Sequence, residues 1–354
     1  MVRASVLVTG AGSILAQGII KSLKLSNIQN LSPALYNIFA ADASPLAAGL
    51  YRCDKAFLIP TPTSTDYCDN LIKICKENHI EAIFVGTDEE LAPLALLKEQ
   101  IRKESGAVVI TNPIDVIRMA SDKWATYRYL KKHNIACAES ALPEDSDKFA
   151  SEYGFPLVVK PRQGHGSLHF YVVRNDWELK QAITVIENAG WDAMLQEYLP
   201  GNDNEFTSGV TVDKLGNFAM SSISIRKILK GGQTYKAFID NFDFIRKSAQ
   251  SVALKLGARG PVNIQAKLIG DIPTVFEINA RFSATCPLRA TAGINEPDIV
   301  FRNVCLDEDI QVDSYQKLLC LRYWNEVYVP MSTCEKISDE KTIHRPDSVI
   351  PAYF

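Results

Sequence analysis

The chain of 354 residues lacks any apolar run approaching the ~18 residues that a membrane-spanning helix needs. No membrane partner is therefore expected. The apolar start, Ala4 to Val8, is cut short by Thr9, Gly10, Gly12 and Ser13, which reads as a strand entering a turn and not as a leader peptide. A large excess of one charge is missing too, with 38 Lys and Arg against 41 Asp and Glu. That balance excludes a chain built mainly to neutralise phosphate backbones, so no nucleic-acid partner is expected. The 8 cysteines form no Cys-x-x-Cys pair, and of the 5 histidines only His165 and His169 stand four apart, inside a glycine-containing loop with no third metal-ligand type beside them. Neither a disulfide framework nor a soft-metal site is indicated, and reduced thiols point to the cytoplasm. Internal repeats, heptads and the Walker phosphate-loop pattern are also absent. What is present is ordinary for a folded protein: 47% hydrophobic and 22% charged residues, which exclude wholesale disorder. The length suits two or three domains.

Residues 1 to about 112 alternate strand and helix. Strands are expected at Val6–Thr9, Tyr36–Ala41, Glu81–Val85 and Val108–Ile110, and helices at Ile14–Leu23, Asp66–Asn78 and Glu89–Lys98. That alternation predicts a parallel sheet covered on both faces. From Ser121 the pattern changes. A helix with Ser121 as its N-cap is expected to reach about His133. Antiparallel pieces follow at Leu157–Lys160, His169–Val173, Ala193–Tyr198, Glu205–Val212 and Phe218–Ile225. A helix over Phe242–Leu256 then precedes a hairpin of Val262–Leu268 with Thr274–Arg281. The residues from about Asp307 are short and mixed.

Several stretches carry chemistry, each with a plainer alternative. Val6 to Gly12 leads a strand into a glycine turn and a helix, as a dinucleotide fingerprint does. However, Leu15 stands where the third glycine belongs, and no acidic residue ends a second strand about 20 residues on. A tight structural turn explains it better than a nicotinamide site. Lys160 ends an apolar strand and leads into Gly164, Gly166 and Ser167, a loop able to bring backbone N–H groups to an anion. A hairpin turn beside a surface Lys is the alternative. Lys123 stands in the first turn of a helix, where a cation opposes the helix dipole unless an anion lies nearby. Gln196-Glu197-Tyr198-Leu199, ahead of Pro200-Gly201, can offer backbone groups to a planar base or simply end a strand.

The hairpin is the most informative stretch. Strand alternation puts Phe276, Ile278 and Ala280 on one face and Glu277, Asn279 and Arg281 on the other. The preceding strand separates Val262, Ile264, Ala266 and Leu268 from Asn263, Gln265 and Lys267 in the same way. A register centred on Asp271 pairs Gln265 with Glu277 and Asn263 with Asn279, since an odd register would turn one apolar face outward. Carboxylate and amide oxygens gathered beside an Arg suit a hard cation next to a phosphate, whereas a solvated strand face is the alternative.

Taken in order, Lys123, Lys160 with its glycine loop, Gln196 to Leu199, Glu205, Gln265 and Glu277-x-Asn279-x-Arg281 resemble the ATP-grasp superfamily. Within it the chain is similar to the carbamoyl-phosphate synthase large subunit and its small stand-alone ligase relatives, from about Val6 to Arg302. The resemblance implies an α/β plus α+β fold: a Rossmann-like pre-ATP-grasp domain (1–112), then an ATP-grasp domain (113–306). The latter would divide into a lid subdomain (about 120–196) and a metal-binding catalytic subdomain (about 197–306), with a C-terminal extension (307–354). It implies ATP and Mg²⁺, or Mn²⁺ in its place. Lys123 and Lys160 would contact phosphates, Gly164, Gly166 and Ser167 would form the lid, and Glu197 and Leu199 would meet adenine. Glu205 would take the ribose, Glu277 and Asn279 the metal with Gln265 beside them, and Arg281 the transferred phosphoryl group. Arg289 and Arg226 are the basic residues expected to meet a substrate carboxylate. The expected activity is an ADP-forming ligation of small-molecule carboxylate and amine, in a protein that has room to form a homodimer. The competing readings are a non-catalytic binder of Mg·ATP and, less well matched, an NAD-dependent oxidoreductase. One copy of the pattern and no glutaminase triad argue against carbamoyl phosphate synthesis itself.

Overall fold

The structure, a computed structural model, describes residues 2–29, 32–164, 168–201 and 203–351. Three sheets organise it. The first is built from β1 (Val2–Val8), β2 (Ala34–Asp42), β3 (Lys55–Leu58), β4 (Ala82–Phe84) and β5 (Val108–Ile110) in the parallel order β3-β2-β1-β4-β5. Its strands are near-continuous apolar runs because helices cover both faces. β3, Lys55–Leu58, was not expected from the sequence.

The second sheet is small: β6 (Ser140–Ala141), β7 (Leu157–Pro161), β8 (Tyr171–Val173) and β9 (Ala193–Glu197), ordered β6-β9-β7-β8. It has its own core, in which Leu157, Val159 and Leu195 pack with Leu179 and Ile186. Alternation then turns Val158 and Lys160 to the opposite face. The third sheet holds β10 (Glu205–Val212), β11 (Ala219–Lys230), β12 (Gln233–Ile239), β13 (Gly260–Ile269) and β14 (Ile272–Asn279), all antiparallel. The helix Asp243–Lys255 packs its Ala249, Val252 and Ala253 against the apolar face of this sheet.

The C-terminal segment is divided between two sheets. β15 (Leu318–Leu321) pairs with β12 at the edge of the third sheet, and β16 (Thr342–His344) pairs with β3 at the edge of the first. Neither is legible in sequence, since each is short and an edge strand needs no two-sided apolar pattern.

One local expectation is corrected. Ser121 ends the helix Ile114–Ser121, and the next helix is capped by Asp122, whose carboxylate accepts from the Trp124 and Ala125 N–H groups. A carboxylate caps as well as a hydroxyl does, and its charge is also favoured at the positive end of the helix. Leu130 and Cys137 join the core of the third sheet, not that of the small sheet. We therefore propose that the lid unit begins at about Ser140 and not at 120. No described helix is long and apolar enough to cross a membrane.

Candidate functional site

A cavity of about 610 Å³ lies between the small sheet and the third sheet. Lys123, Lys160, Gly164, Glu197, Leu199, Glu205, Gln265, Glu277, Asn279 and Arg281 all line it. Ten positions spread over 159 residues of sequence (281 − 123 + 1) thus converge on one space. Gly166 and Ser167 lie outside the described residues.

The small sheet supplies the cationic wall. Lys160, only 5% exposed, donates from Nζ to Gln196 Oε1 at 2.8 Å across the β7–β9 ladder. Burial pushes its ammonium down to about 8, with Glu277 opposing the shift and Lys123 adding to it. Lys123 donates to the Gly164 carbonyl at 2.8 Å, so the helix-start cation and the glycine loop meet. Burial lowers the Lys123 ammonium as well, against the pull of Glu277, Asp88 and Asp122. Arg162, bonded to Asp122 at 2.5 Å, ties the loop to the helix cap and holds Lys123 at the cavity.

The third sheet supplies the oxygens. Gln265 faces Glu277 and Asn263 faces Asn279, the expected register. A bulge then shifts the pairing by one residue, so that Ala266 faces Val275 and the turn tightens to Gly270-Asp271. The consequence corrects the expected faces: Phe276 leaves the apolar side and lines the cavity next to Glu277. Glu277 Oε1 accepts from Asn279 Nδ2 at 3.1 Å, and Asn279 Oδ1 accepts from Arg281 at 3.2 Å. Burial would raise the Glu277 carboxyl, but Lys123, Lys160 and Asn279 hold it below the usual carboxylate range.

A hard divalent cation held by Glu277 and Asn279 would need further oxygens, because the described residues contain no cluster of three His, Cys, Asp or Glu. Two protein oxygens beside the ammonium groups of Lys123 and Lys160 fit Mg²⁺, which commonly completes its shell with substrate phosphates and water. Gln265 is engaged differently from its expected place. Its Oε1 accepts from Lys227 Nζ at 2.5 Å, and the same ammonium pairs with Glu205 at 2.9 Å. Lys227 therefore bridges the Glu205 carboxylate and the Gln265 amide.

The far end of the cavity has the character of a base slot. Val158, Val172, Leu199 and Phe276 form apolar walls. The Leu199 carbonyl accepts from Lys267 at 2.8 Å, while no acceptor among the described residues takes the Leu199 N–H. The Glu197 N–H donates to the Glu139 carbonyl and its carboxylate accepts from the Glu139 N–H, each at 2.8 Å, which fixes this strand end.

Arg281 pairs with Asp88 of the first domain, with Nε and Nη2 at 2.5 and 3.0 Å from its two oxygens. Burial works against its charge, and Asp88 more than offsets that. Asp88 also lines an adjoining cavity of about 280 Å³ together with Lys123, Glu277 and Asn279. No sequence pattern marked Asp88, since its partner is 193 residues away.

The two expected substrate arginines turn out otherwise. Arg289 is fully buried beneath the hairpin, paired with Glu296 at 3.1 Å, and it donates to Asn263 Oδ1 at 2.8 Å and to Thr207 at 3.1 Å. Gly209 makes room for this pair: a Cβ there would stand 1.7 Å from Glu296 and 2.2 Å from Arg289. Arg226 lies over the Phe238 ring, 4.0 Å from its centre, and 3.9 Å from Asp203. Neither lines the cavity; strand alternation gives that place to Lys227, the neighbour of Arg226.

The N-terminal glycine turn is occupied by protein. Asp42, the last residue of β2, accepts from the Gly12 N–H at 2.7 Å, where a dinucleotide phosphate would otherwise sit. The spacing argument missed that Asp42 does end the second strand, because the intervening helix runs a full 16 residues. Gly10 adopts φ +57°, and a Cβ there would lie 2.3 Å from Thr87, so the turn demands glycine for structure alone.

A parallel-sheet domain followed by two α+β units with a cavity between them, lined by Lys123, Lys160, Glu277 and Asn279, defines the class. Two domain-family models match the chain, the PylC-like N-terminal domain over residues 6–110 and the ATP-grasp domain over residues 120–285. The chain thus carries a PylC-like N-terminal domain followed by an ATP-grasp domain, and it is similar to carbamoyl-phosphate synthase large chains. It is 26% identical over 258 residues to the arginine-specific carbamoyl phosphate synthase large chain of Eremothecium gossypii, covering 68% of this chain and 22% of that one. The chain thus spans about a fifth of that relative's length. Among solved structures, an ADP complex of N5-carboxyaminoimidazole ribonucleotide synthetase matches with TM-score 0.71 at 12% identity, over 96% of this chain and 85% of that one. The biotin carboxylase domain of Hydrogenobacter thermophilus 2-oxoglutarate carboxylase, a dimer solved with MgADP, ADP and bicarbonate, matches with TM-score 0.69 at 18% identity, over 92% and 79%.

Proposed function

We propose that the protein is an ATP-dependent ligase that activates a substrate carboxylate as an acyl phosphate and joins it to an amine, releasing ADP and phosphate. One observation carries the reading: the Glu277–Asn279 pair faces Lys123 and Lys160 in a single cavity, with Arg281 beside it. Such an array suits phosphoryl transfer, where catalysis is mostly positioning and charge neutralisation. Mg²⁺, or Mn²⁺ in its place, would be held by Glu277 and Asn279 and would supply further neutralisation of phosphate charge.

The chain's own residues account for the rest. Leu199 N–H and the apolar slot around Val158 and Phe276 would seat the base, and Glu205 the ribose. Lys123 and Lys160 would hold the phosphates, each kept in place by a carbonyl or amide oxygen of the lid side. A carboxylate oxygen of the substrate forms a bond to the γ-phosphorus as the bond to the β-bridging oxygen breaks, and ADP leaves. Arg281, oriented by Asp88, would face the charge on the transferred phosphoryl oxygens. The amine nitrogen then bonds to the acyl carbon, loses a proton, and phosphate departs.

The test is a coupled ADP-release assay over paired carboxylic acids and amines, with Glu277→Gln as control. ADP release that needs both substrates and falls about 100-fold or more in Glu277→Gln is expected, as for loss of a charged transition-state contact. Tight Mg·ATP binding with no turnover for any pair would instead favour a non-catalytic binder. The Asp42–Gly12 contact leaves nothing to support a nicotinamide enzyme.

A further inference from the structure

Arg322 lines the cavity beside the loop that follows Arg281, on the C-terminal segment just after β15, beyond both matched domains. Its main-chain N–H continues the β12–β15 pairing by donating to the Tyr235 carbonyl at 3.1 Å. Its guanidinium donates from Nη2 to the Ala284 carbonyl at 2.8 Å and from Nη1 to the Thr234 carbonyl at 3.2 Å. Ala284 is three residues past Arg281, so Arg322 closes the same loop that carries the phosphoryl-facing guanidinium. Ile14, Ser283 and Thr285 complete this end of the cavity.

Carbonyl groups orient the side chain without neutralising it. Among the described residues no carboxylate lies within ion-pair distance of Arg322, whereas Arg281 has Asp88 and Arg289 has Glu296. Burial depresses the Arg322 guanidinium, and Lys21 is depressed first by burial and then by Arg322 and Arg52. The end of the cavity is therefore a half-buried cation, held in one orientation, with further cations behind it. Half-buried charge without a counter-ion is costly, and a bidentate donor fork matches a carboxylate or phosphate.

Resting on the ligase reading, we propose that Arg322 binds a non-reacting anionic group, carboxylate or phosphate, carried by one of the two substrates. It takes the role that sequence reasoning gave to Arg289. The anion can belong to the acid or to the amine, and the assay separates the two. With hydroxylamine as acceptor, ADP release is compared for butyrate with glutarate and for glycerate with 3-phosphoglycerate. With the acid held constant, it is compared for ethylamine with alanine and cadaverine with lysine. The anionic member of at least one pair is expected to be preferred by about tenfold or more in kcat/KM, the usual effect of a charge-assisted hydrogen bond. Arg322→Gln should abolish that preference through KM, Arg322→Lys should keep part of it, and KM for Mg·ATP should stay within about twofold. Equal use of both members in every pair, or a preference that survives Arg322→Gln, overturns the assignment while leaving the ligase intact. No ADP with any pair would remove the ligase reading and this assignment together.

Discussion

Lys160 offers a test that depends on the cavity's electrostatics and not on knowing the substrate. Burial holds its ammonium near a pKa of about 8 in the free protein, although Glu277 supports the charge. A nucleotide phosphate against it would restore the charged form toward the ordinary lysine value of about 10.4. Below pH 8 the side chain is already protonated, so binding exchanges few protons. Above pH 8 it is mostly neutral, and binding must take a proton up. The neutral fraction is about 0.1 at pH 7.2 and about 0.9 at pH 8.8, so Mg·ADP binding should absorb roughly that many protons at each pH. Calorimetry in two buffers of different ionisation enthalpy measures the uptake directly. Lys160→Met keeps the stem and removes the charge; it should flatten the pH dependence and weaken binding about 10- to 100-fold, the range for losing a hydrogen bond to a charged group. Uptake that does not rise between these pH values, or rises equally in Lys160→Met, would refute the account of a desolvated phosphate-binding lysine.

Other perturbations separate structure from chemistry. Arg289→Met should cost about 3–5 kcal/mol in denaturant unfolding, because Glu296 is left buried at 2% exposure without its partner. Replacing both, as Arg289→Met with Glu296→Leu, should recover much of that loss, because no buried charge is then left unpaired. Gly209→Ala forces a methyl into the Arg289–Glu296 pair and should destabilise by about 1–3 kcal/mol or more, read as a lower unfolding midpoint. Asp88→Asn keeps one of the two acceptors for Arg281 but removes the second and the opposing charge; kcat should fall while KM for Mg·ATP changes little, as steady-state kinetics would report.

Much of the candidate site's geometry was legible in the sequence, and the reason is local. Strand alternation alone separates Glu277 and Asn279 from Ile278, and evenness of register pairs Gln265 with Glu277, because a one-residue slip would bury the wrong face. The strand-end lysine and the glycine loop that follows it are adjacent in sequence, so their association needed no tertiary information. The readings that failed all depend on what lies across space. Phe276 changes side through a bulge, which no alternation rule foresees. Asp122 displaces Ser121 as the cap because Arg162, 40 residues on, secures its carboxylate.

Arginine shows most clearly where the division falls. From sequence, Arg226, Arg281, Arg289 and Arg322 are the same planar cation on a long stem. Composition and periodicity determined that the chain is a globular, multi-domain protein with a nucleotide-type first domain and an oxygen-rich hairpin. Only the tertiary structure decided that Glu296 buries one of these arginines and Asp88 orients another. It also turns a third against Phe238 and sets the fourth, from the C-terminal segment, at the mouth of the site. A side chain's charge is written in the sequence, but its counter-ion and its solvent are chosen by the fold, and those two determine what the charge is free to bind.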